Sequence, residues 1–475
     1  MTAVHASPFS GSWYPEHAAE LEGLLDTCWA RSECRTGPLV EGGLGYVVPH
    51  AGPQYSGTVA AGVYRTLEKQ QPERVVVLAF PHRGCLEGIA APDTTAVATP
   101  LGEVQLDQEF AAAFPRVAEE RVCDHSFEIQ LPFLQKAVPR ARIAVLYVDR
   151  LAAEERSAAA AALAAAYRPG TVFLASSDFT HYGRAFGFMP FPADENTPHK
   201  LRQLDDECAD AAGSLDAALF LETLHRTGAT VCGAGPIALL LETLRLLDGD
   251  NLYQARLDYQ TSGEITGDYH HSVSYAALGY FPRQAFALSS REFDALLASA
   301  AATLGRLRET GRREPVPAAD AGPALDAVRG AFVSLHHGDE LLGCVGNVAG
   351  RRCLGEDVAE LTLSAALEDP RFRPAAEAEG PIDIEISVLT PLRRIRGAED
   401  VKVGRHGVFL RLGSRAGLLL PQVATERGWT AEEFLHALTR KSCTGPHAWR
   451  DPKARLYVFE AQVKGAVSDQ LSAIS

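Results

Sequence analysis

The chain has little of what marks a secreted, membrane-bound or nucleic-acid-binding protein. Its nine cysteines are scattered and form no CxxC pair. That argues against a disulfide framework or a structural zinc site, and makes a reducing cytoplasm the expected compartment. Basic runs are missing, and 45 Lys+Arg against 60 Asp+Glu leave a formal charge of −15. Neither nucleic acid nor an anionic membrane is an expected partner of such a surface. No stretch reaches the roughly 18 uninterrupted apolar residues that cross a bilayer. The blandest run, Leu151–Tyr167, is Ala-rich but carries Glu154, Glu155 and Arg156 and reads as a surface helix. Residues 1–8 lack a basic segment followed by an apolar one, so no secretory signal is expected. P-loop, nucleophile-elbow and zincin patterns are absent, and Gly42-Gly-Leu-Gly45 does not fit the dinucleotide fingerprint.

What is present is 475 residues, 46% of them hydrophobic, enough for two or three domains with buried cores. Short apolar runs at Leu44–Val48, Arg74–Phe80, Arg142–Val148, Thr171–Ala175 and His271–Tyr280 read as strands. Helical patterns separate them: Ala18–Trp29, Thr58–Leu67, Gln108–Phe114, Leu151–Tyr167, Leu201–Ala212, Ala217–Thr227 and Pro236–Leu247. Apolar strands alternating with helices predict an α/β sandwich around a largely parallel sheet. The alternation stops near Pro282, and Ser289-Ser-Arg-Glu292 opens a new helix with an N-cap. Two domains are therefore expected, residues 1–285 and 286–475, the second of them α+β.

Four polar clusters follow strand ends in the first domain, where α/β sheets usually hold their ligands. They contain His50, His82, the pair Asp178 and His181, and Cys232, each beside Gly- or Pro-rich turns. Imidazole and thiolate ligate first-row transition metals, and three ligands leave positions open for substrate. Cys232 precedes a helix N-terminus, whose dipole favours thiolate over thiol. Taken singly, each of these residues is more often a hydrogen-bonded or core residue; four clusters at equivalent places bring the two readings level. A fifth cluster holds His125 and Glu128 at helical i, i+3 spacing, read either as pocket residues or as a helix start capped by Asp124 or Ser126.

Several stretches together resemble the Memo family. They are Phe9-Ser-Gly-Ser-Trp-Tyr-Pro15, Pro49-His-Ala-Gly52, Tyr55-Ser-Gly57, Thr99–Asp107, Asp124–Gln135, Ser176-Ser-Asp-Phe-Thr-His-Tyr-Gly183, Cys232-Gly233 and Ser272–Ala276. The later part resembles the AMMECR family through Gly330–Leu335, Leu342-Gly-Cys-Val-Gly346, Asp369-Pro-Arg-Phe372, Ile384–Pro391, Gly417–Val423 and Trp429. The double resemblance implies a first domain folded like class III extradiol dioxygenases, with His50, His82 and Cys232 as metal ligands. Iron(II) is then the expected metal and copper the alternative. His181 is expected as general acid or base with Asp178 orienting or charging it, and Tyr55, His125, Glu128 and Arg83 as pocket residues. It also implies a small aromatic or heteroaromatic substrate and a radical SAM protein as partner; the alternative is a non-catalytic metal-handling or partner-binding protein.

Two departures stand out. The second histidine lies in Phe80-Pro-His82-Arg83, where Memo proteins have Gly-Pro-Ser-His, and Leu342 takes the place of the AMMECR arginine. In that AMMECR motif, Gly343 and Gly346 are expected to form a tight turn around Cys344.

Overall fold

A computed structural model describes residues 4–467 apart from 36, 85, 319 and 320. The chain divides into two compact units, Met1–Ala285 and Phe286–Ser475. No helix among the described residues is long and apolar enough to cross a membrane.

In the first unit, four parallel strands form the middle of a nine-stranded sheet, in the order Gly45–Val48, Thr171–Ser176, Arg74–Ala79, Arg142–Val148. Their side chains are buried on both sides, as the unbroken Val, Leu and Phe runs require. Val47, Val76, Leu78, Leu146 and Phe173 pack in one core with residues of the helices Ala153–Ala166, Thr197–Ala212 and Ala234–Asp248. Alternation sends Tyr46 to the other face, where its hydroxyl donates to Gln70 at the end of the helix Pro53–Gln70. The fold is an α/β sandwich with His50, His82 and Asp178 in loops at the C-terminal ends of these strands.

The sheet is less parallel than expected. Its flanks are antiparallel: His271–Pro282 joins Gly45–Val48 on one side, and Ile89–Pro92 joins Arg142–Val148 on the other. Leu252–Thr261 forms a further hairpin strand with His271–Pro282. That strand has no signature in the sequence because its burial is partial and irregular, which leaves no continuous apolar run. Helix ends shifted more than helix identities, as with Gln108–Ala111, which ends three residues early.

The second unit is α+β. One antiparallel sheet runs Glu340–Asn347, Ala331–His337, Asp383–Leu389, Ala461–Val467, and the helices Ser290–Thr310 and Leu354–Leu367 pack on it. A second antiparallel sheet runs Arg393–Ile395, Arg455–Phe459, Gly407–Leu412, Arg415–Leu419, beneath the helix Ala431–Lys441. Ser289 caps the first helix in a reciprocal box. Its hydroxyl accepts from the Glu292 amide, and the Glu292 carboxylate accepts from the Ser289 amide.

The expected turn around Cys344 is a strand. Gly343, Cys344 and Gly346 all lie within Glu340–Asn347. The glycines are there for close approach. A Cβ on Gly343 would sit 2.1 Å from the carbonyl oxygen of Ala365 in the overlying helix, and one on Gly346 would sit 2.2 Å from the Phe332 ring. Leu342, half-buried, packs against the same core. Backbone cannot yield as a flexible side chain can, so Gly343→Ala should cost about 1–3 kcal/mol. Urea unfolding of the second unit is the measurement, and a midpoint equal to wild type would refute the close-approach explanation.

Candidate metal centre

His50 leaves the end of Gly45–Val48, and His82 leaves the end of Arg74–Ala79, with Thr171–Ser176 running between them. Parallel register sets Ser176 beside Val48, so its side chain meets the His50 ring. His50 is 1% exposed, and its Nδ1 lies 3.0 Å from Ser176 Oγ. The direction of that bond follows from counting protons. Ser176 has one, which it donates to the carbonyl of Ser126. Gln130 Nε2 already donates to Ser176 Oγ at 3.0 Å. His50 Nδ1 must therefore carry the hydrogen, and Nε2 keeps a bare lone pair. Burial, then the charges of His125 and His82, push the His50 pKa well down, so the ring is neutral.

Asp124 does the same for two more rings. Its Oδ1 lies 2.9 Å from His82 Nδ1 and 3.0 Å from His125 Nδ1, and it accepts from the Ser126 amide at 3.1 Å as a helix cap. Burial alone would raise this carboxyl's pKa. The hydrogen bonds from His125 and His82 outweigh it and hold the group well below the usual carboxylate range. Both histidines thus donate from Nδ1, which leaves Nε2 as the bare nitrogen of the neutral ring. Ligand atoms of His50, His82 and His125 lie within 4.8 Å of one another. Trp13 of the opening motif stacks over His125 with ring centroids 4.4 Å apart.

Cys232 precedes the helix Ala234–Asp248, and its Sγ lies 3.1 Å from His50 Nε2 and 3.2 Å from the Asp178 amide. Gly233 lets this turn press on the strand end: a Cβ there would lie 2.5 Å from that of Ser177. The expectation of a thiolate is corrected. Burial, then the Asp178 carboxylate, push the thiol's pKa well up. A helix terminus is worth about 0.3–1 kcal/mol, whereas burying an ion costs several kcal/mol, so burial wins. Without a cation, Cys232 is a thiol able to donate to the bare His50 Nε2.

His181 Nδ1 lies 3.0 Å from the carbonyl oxygens of both Phe179 and Thr230, which makes it the donor and frees Nε2. Of the two roles expected of Asp178, orienting the His181 ring is corrected, while its charge does act on His181. Asp178 Oδ1 accepts from the backbone amides of His50 and Ala51, at 2.8 and 3.3 Å, and so holds the His50 loop rather than the His181 ring. Burial raises its pKa, and the nearby His181 charge opposes that shift. Behind the loop, buried Asp205 accepts from both the amide and the hydroxyl of Thr180 and from the hydroxyl of Tyr259. Nothing in the sequence singled it out, because its context is an ordinary helix.

Of the other expected pocket residues, His125 joins the cluster and three do not. Glu128 turns to His5 instead, because the helix His125–Glu128 is one turn long and its two ends face different neighbours. Tyr55 is 40% exposed in the first turn of the helix Pro53–Gln70. Arg83 is exposed, with its guanidinium 5.4 Å from the Phe9 ring centre. The Cys344 motif belongs to the second unit.

The structure groups His50 and His82 with His125 rather than with Cys232, whose Sγ meets His50 alone of the three, and these imidazoles with a thiol beside them suit a first-row transition metal such as iron or copper. Comparison with known proteins agrees in placing this chain. The family model described as Memo-like protein matches residues 6–279, and that of AMMECR1 matches residues 297–464. A MEMO1 family protein of Methanopyrus kandleri is 34% identical over 291 residues, covering 57% of this chain and 96% of its own length. A memo-1 homolog of Caenorhabditis elegans is 28% identical over 289 residues, covering 58% of this chain and 81% of its own. The crystal structure of an uncharacterized Pyrococcus horikoshii protein is 34% identical and covers 37% of this chain and 90% of its own, with a TM-score of 0.34.

Asp124→Asn keeps the side-chain shape but removes the charge that orders two imidazoles. Affinity for ferrous iron should fall about 10–100-fold, measured by competition with a chromogenic chelator. Unchanged affinity would remove Asp124 from control of the ring tautomers.

Proposed function

This chain belongs to the Memo family and carries an AMMECR1 segment behind it, and from that premise we propose a mononuclear non-haem iron enzyme acting on a small aromatic or heteroaromatic molecule. The observation that carries the reading is the shared orientation of four rings: His50, His82, His125 and His181 all spend Nδ1 on protein acceptors and keep Nε2 free. His50, His82 and Cys232 would hold the metal, with His125 as the competing donor. Bound iron(II) would supply a Lewis-acidic, redox-active centre for O2 and substrate, the chemistry of class III extradiol dioxygenases. His181 takes or gives the substrate proton at Nε2, its Nδ1–H fixed by two carbonyls. Asp178 keeps the His50 loop in place through its two amide bonds. Phe80, its ring centroid 4.8 Å from that of His82, and Trp13 over His125 offer aromatic walls for a flat substrate. The AMMECR1 segment serves substrate or partner binding, a radical SAM enzyme being the expected partner.

A second reading, non-catalytic copper or iron handling, is favoured by one observation: His125 adds a fourth donor beside His50, His82 and Cys232. Four protein ligands close a site that catalysis needs open. Oxygen uptake over a panel of catechols and hydroxylated heteroaromatics separates the two readings. None with any compound, alongside stoichiometric copper, would favour metal handling.

Protein purified without oxygen should contain iron, and His50→Ala should lower that content at least tenfold. Equal, near-zero iron and copper in wild type, His50→Ala and Cys232→Ser would overturn the centre. His181→Ala should reduce turnover far more than metal content; loss of both would make His181 a ligand. Proton release distinguishes Cys232 from His125 as third ligand. The Cys232 thiol is raised by burial, so binding expels its proton, and affinity should rise about tenfold per pH unit above about pH 7.5, where imidazoles are already neutral. In Cys232→Ser that slope should vanish. A wild-type affinity already flat above about pH 7.5 would assign the third position to His125.

A further inference from the structure

The segment Cys123–Glu128 serves two sides. Asp124 and His125 face the histidine cluster, while Cys123 and Glu128 turn the other way and meet His5 on the N-terminal strand Val4–Ala6. One nitrogen of His5, the Sγ of Cys123 and a carboxylate oxygen of Glu128 lie within 4.8 Å of one another. His5 Nε2 is 3.1 Å from Glu128 Oε1, and His5 Nδ1 is 3.4 Å from Glu119 Oε1.

The local chemistry is incomplete without a cation. Glu128 is fully buried, and its second oxygen, Oε2, has no hydrogen-bond partner; Glu119 Oε2 is buried and likewise unpartnered. A single imidazolium at His5 neutralises only one of these two carboxylates. Buried charge normally requires pairing and full hydrogen bonding. The Cys123 Sγ lies within 4.8 Å of the Glu128 carboxylate and of the His5 ring. A divalent cation would displace the thiol proton and supply the missing positive charge.

We infer that His5, Cys123 and Glu128 form a second metal site, distinct from the histidine centre, that takes zinc. Nitrogen, sulfur and carboxylate oxygen form a donor set typical of zinc. Tetrahedral ligation sets ligand atoms about 3.2–3.8 Å apart, and His5 Nε2 and Glu128 Oε1, 3.1 Å apart, are already near that spacing. Taken on Nε2, the metal leaves the His5 Nδ1–H to donate to Glu119, the carboxylate–histidine–metal arrangement that fixes a ligand ring. The site anchors the turn that carries Asp124, and through Asp124 the rings of His82 and His125. Its effect on the first centre is therefore one of positioning.

The test uses the full chain, stripped of metal, in the Cys232→Ser background, which removes the only thiol of the first centre. Cobalt(II) serves as the spectroscopic probe. One equivalent should give thiolate-to-cobalt charge-transfer absorption, which zinc abolishes on addition and which is missing from Cys123→Ser/Cys232→Ser. Absence of that absorption from Cys232→Ser, or its persistence in the double variant, overturns the site. A second measurement needs no further substitution: one equivalent of zinc should slow iodoacetamide labelling of Cys123 at least tenfold in Cys232→Ser. Unchanged labelling overturns the inference. Because Cys232 is already gone in both assays, their failure leaves the iron centre standing, and the converse also holds.

Discussion

Everything in the first unit's site depends on where the Nδ1 protons go. An imidazole has one proton to place on two nitrogens, and a metal or a substrate proton can be held only by the nitrogen left bare. Here four rings are resolved the same way by a small set of acceptors: a hydroxyl whose own proton is committed, one carboxylate oxygen shared by two rings, and two backbone carbonyls. Each acceptor is placed by something larger. Strand register sets Ser176 beside Val48, and the helix start puts Asp124 at a cap position while its oxygen still reaches both rings.

The second governing effect is burial. It makes His50 neutral and therefore able to offer a lone pair, and it keeps Cys232 protonated and therefore able to donate to His50. Burial and the helix dipole pull Cys232 in opposite directions, and the cost of desolvating a thiolate exceeds what the dipole returns. Asp124 is the opposite case. It is as buried as His50, 1% against 1% exposed, yet it stays ionised because two N–H donors and a backbone amide solvate it. Its other oxygen is unpartnered, so all three donors converge on Oδ1, the atom that orders the rings. In the second unit the controlling constraint is steric instead, with glycines at strand positions where a helix backbone and an aromatic ring leave no room for a Cβ.

Much of the frame was readable from local pattern. The four central strands, the helices between them and the Ser289 capping box all announce themselves through apolar runs, 3.6-residue periodicity and cap chemistry. Those signals are local, and so is the physics that creates them. The misreadings share a cause as well. Leu252–Thr261 is a strand held by long-range pairing rather than by its own composition. Gly343 and Gly346 read as turn residues because glycine's steric and conformational uses look alike in a sequence. His125 and Glu128 sit three apart, yet one turn of helix between two environments sends them to different partners.

By itself, the sequence determined the family, the α/β character of the first unit and the identity of most residues at the strand ends, because each rests on residue type and spacing along the chain. Only the tertiary structure decided which nitrogen of each histidine is free, that Asp178 holds a backbone loop instead of a ring, that Cys232 is a thiol, and that His5 meets Cys123 and Glu128. These depend on direction, burial and contacts between residues far apart in the chain, such as His5 and Glu128 at a separation of 123. Such contacts leave no periodic trace in a linear pattern, because they exist only once the strands have paired and water has been excluded.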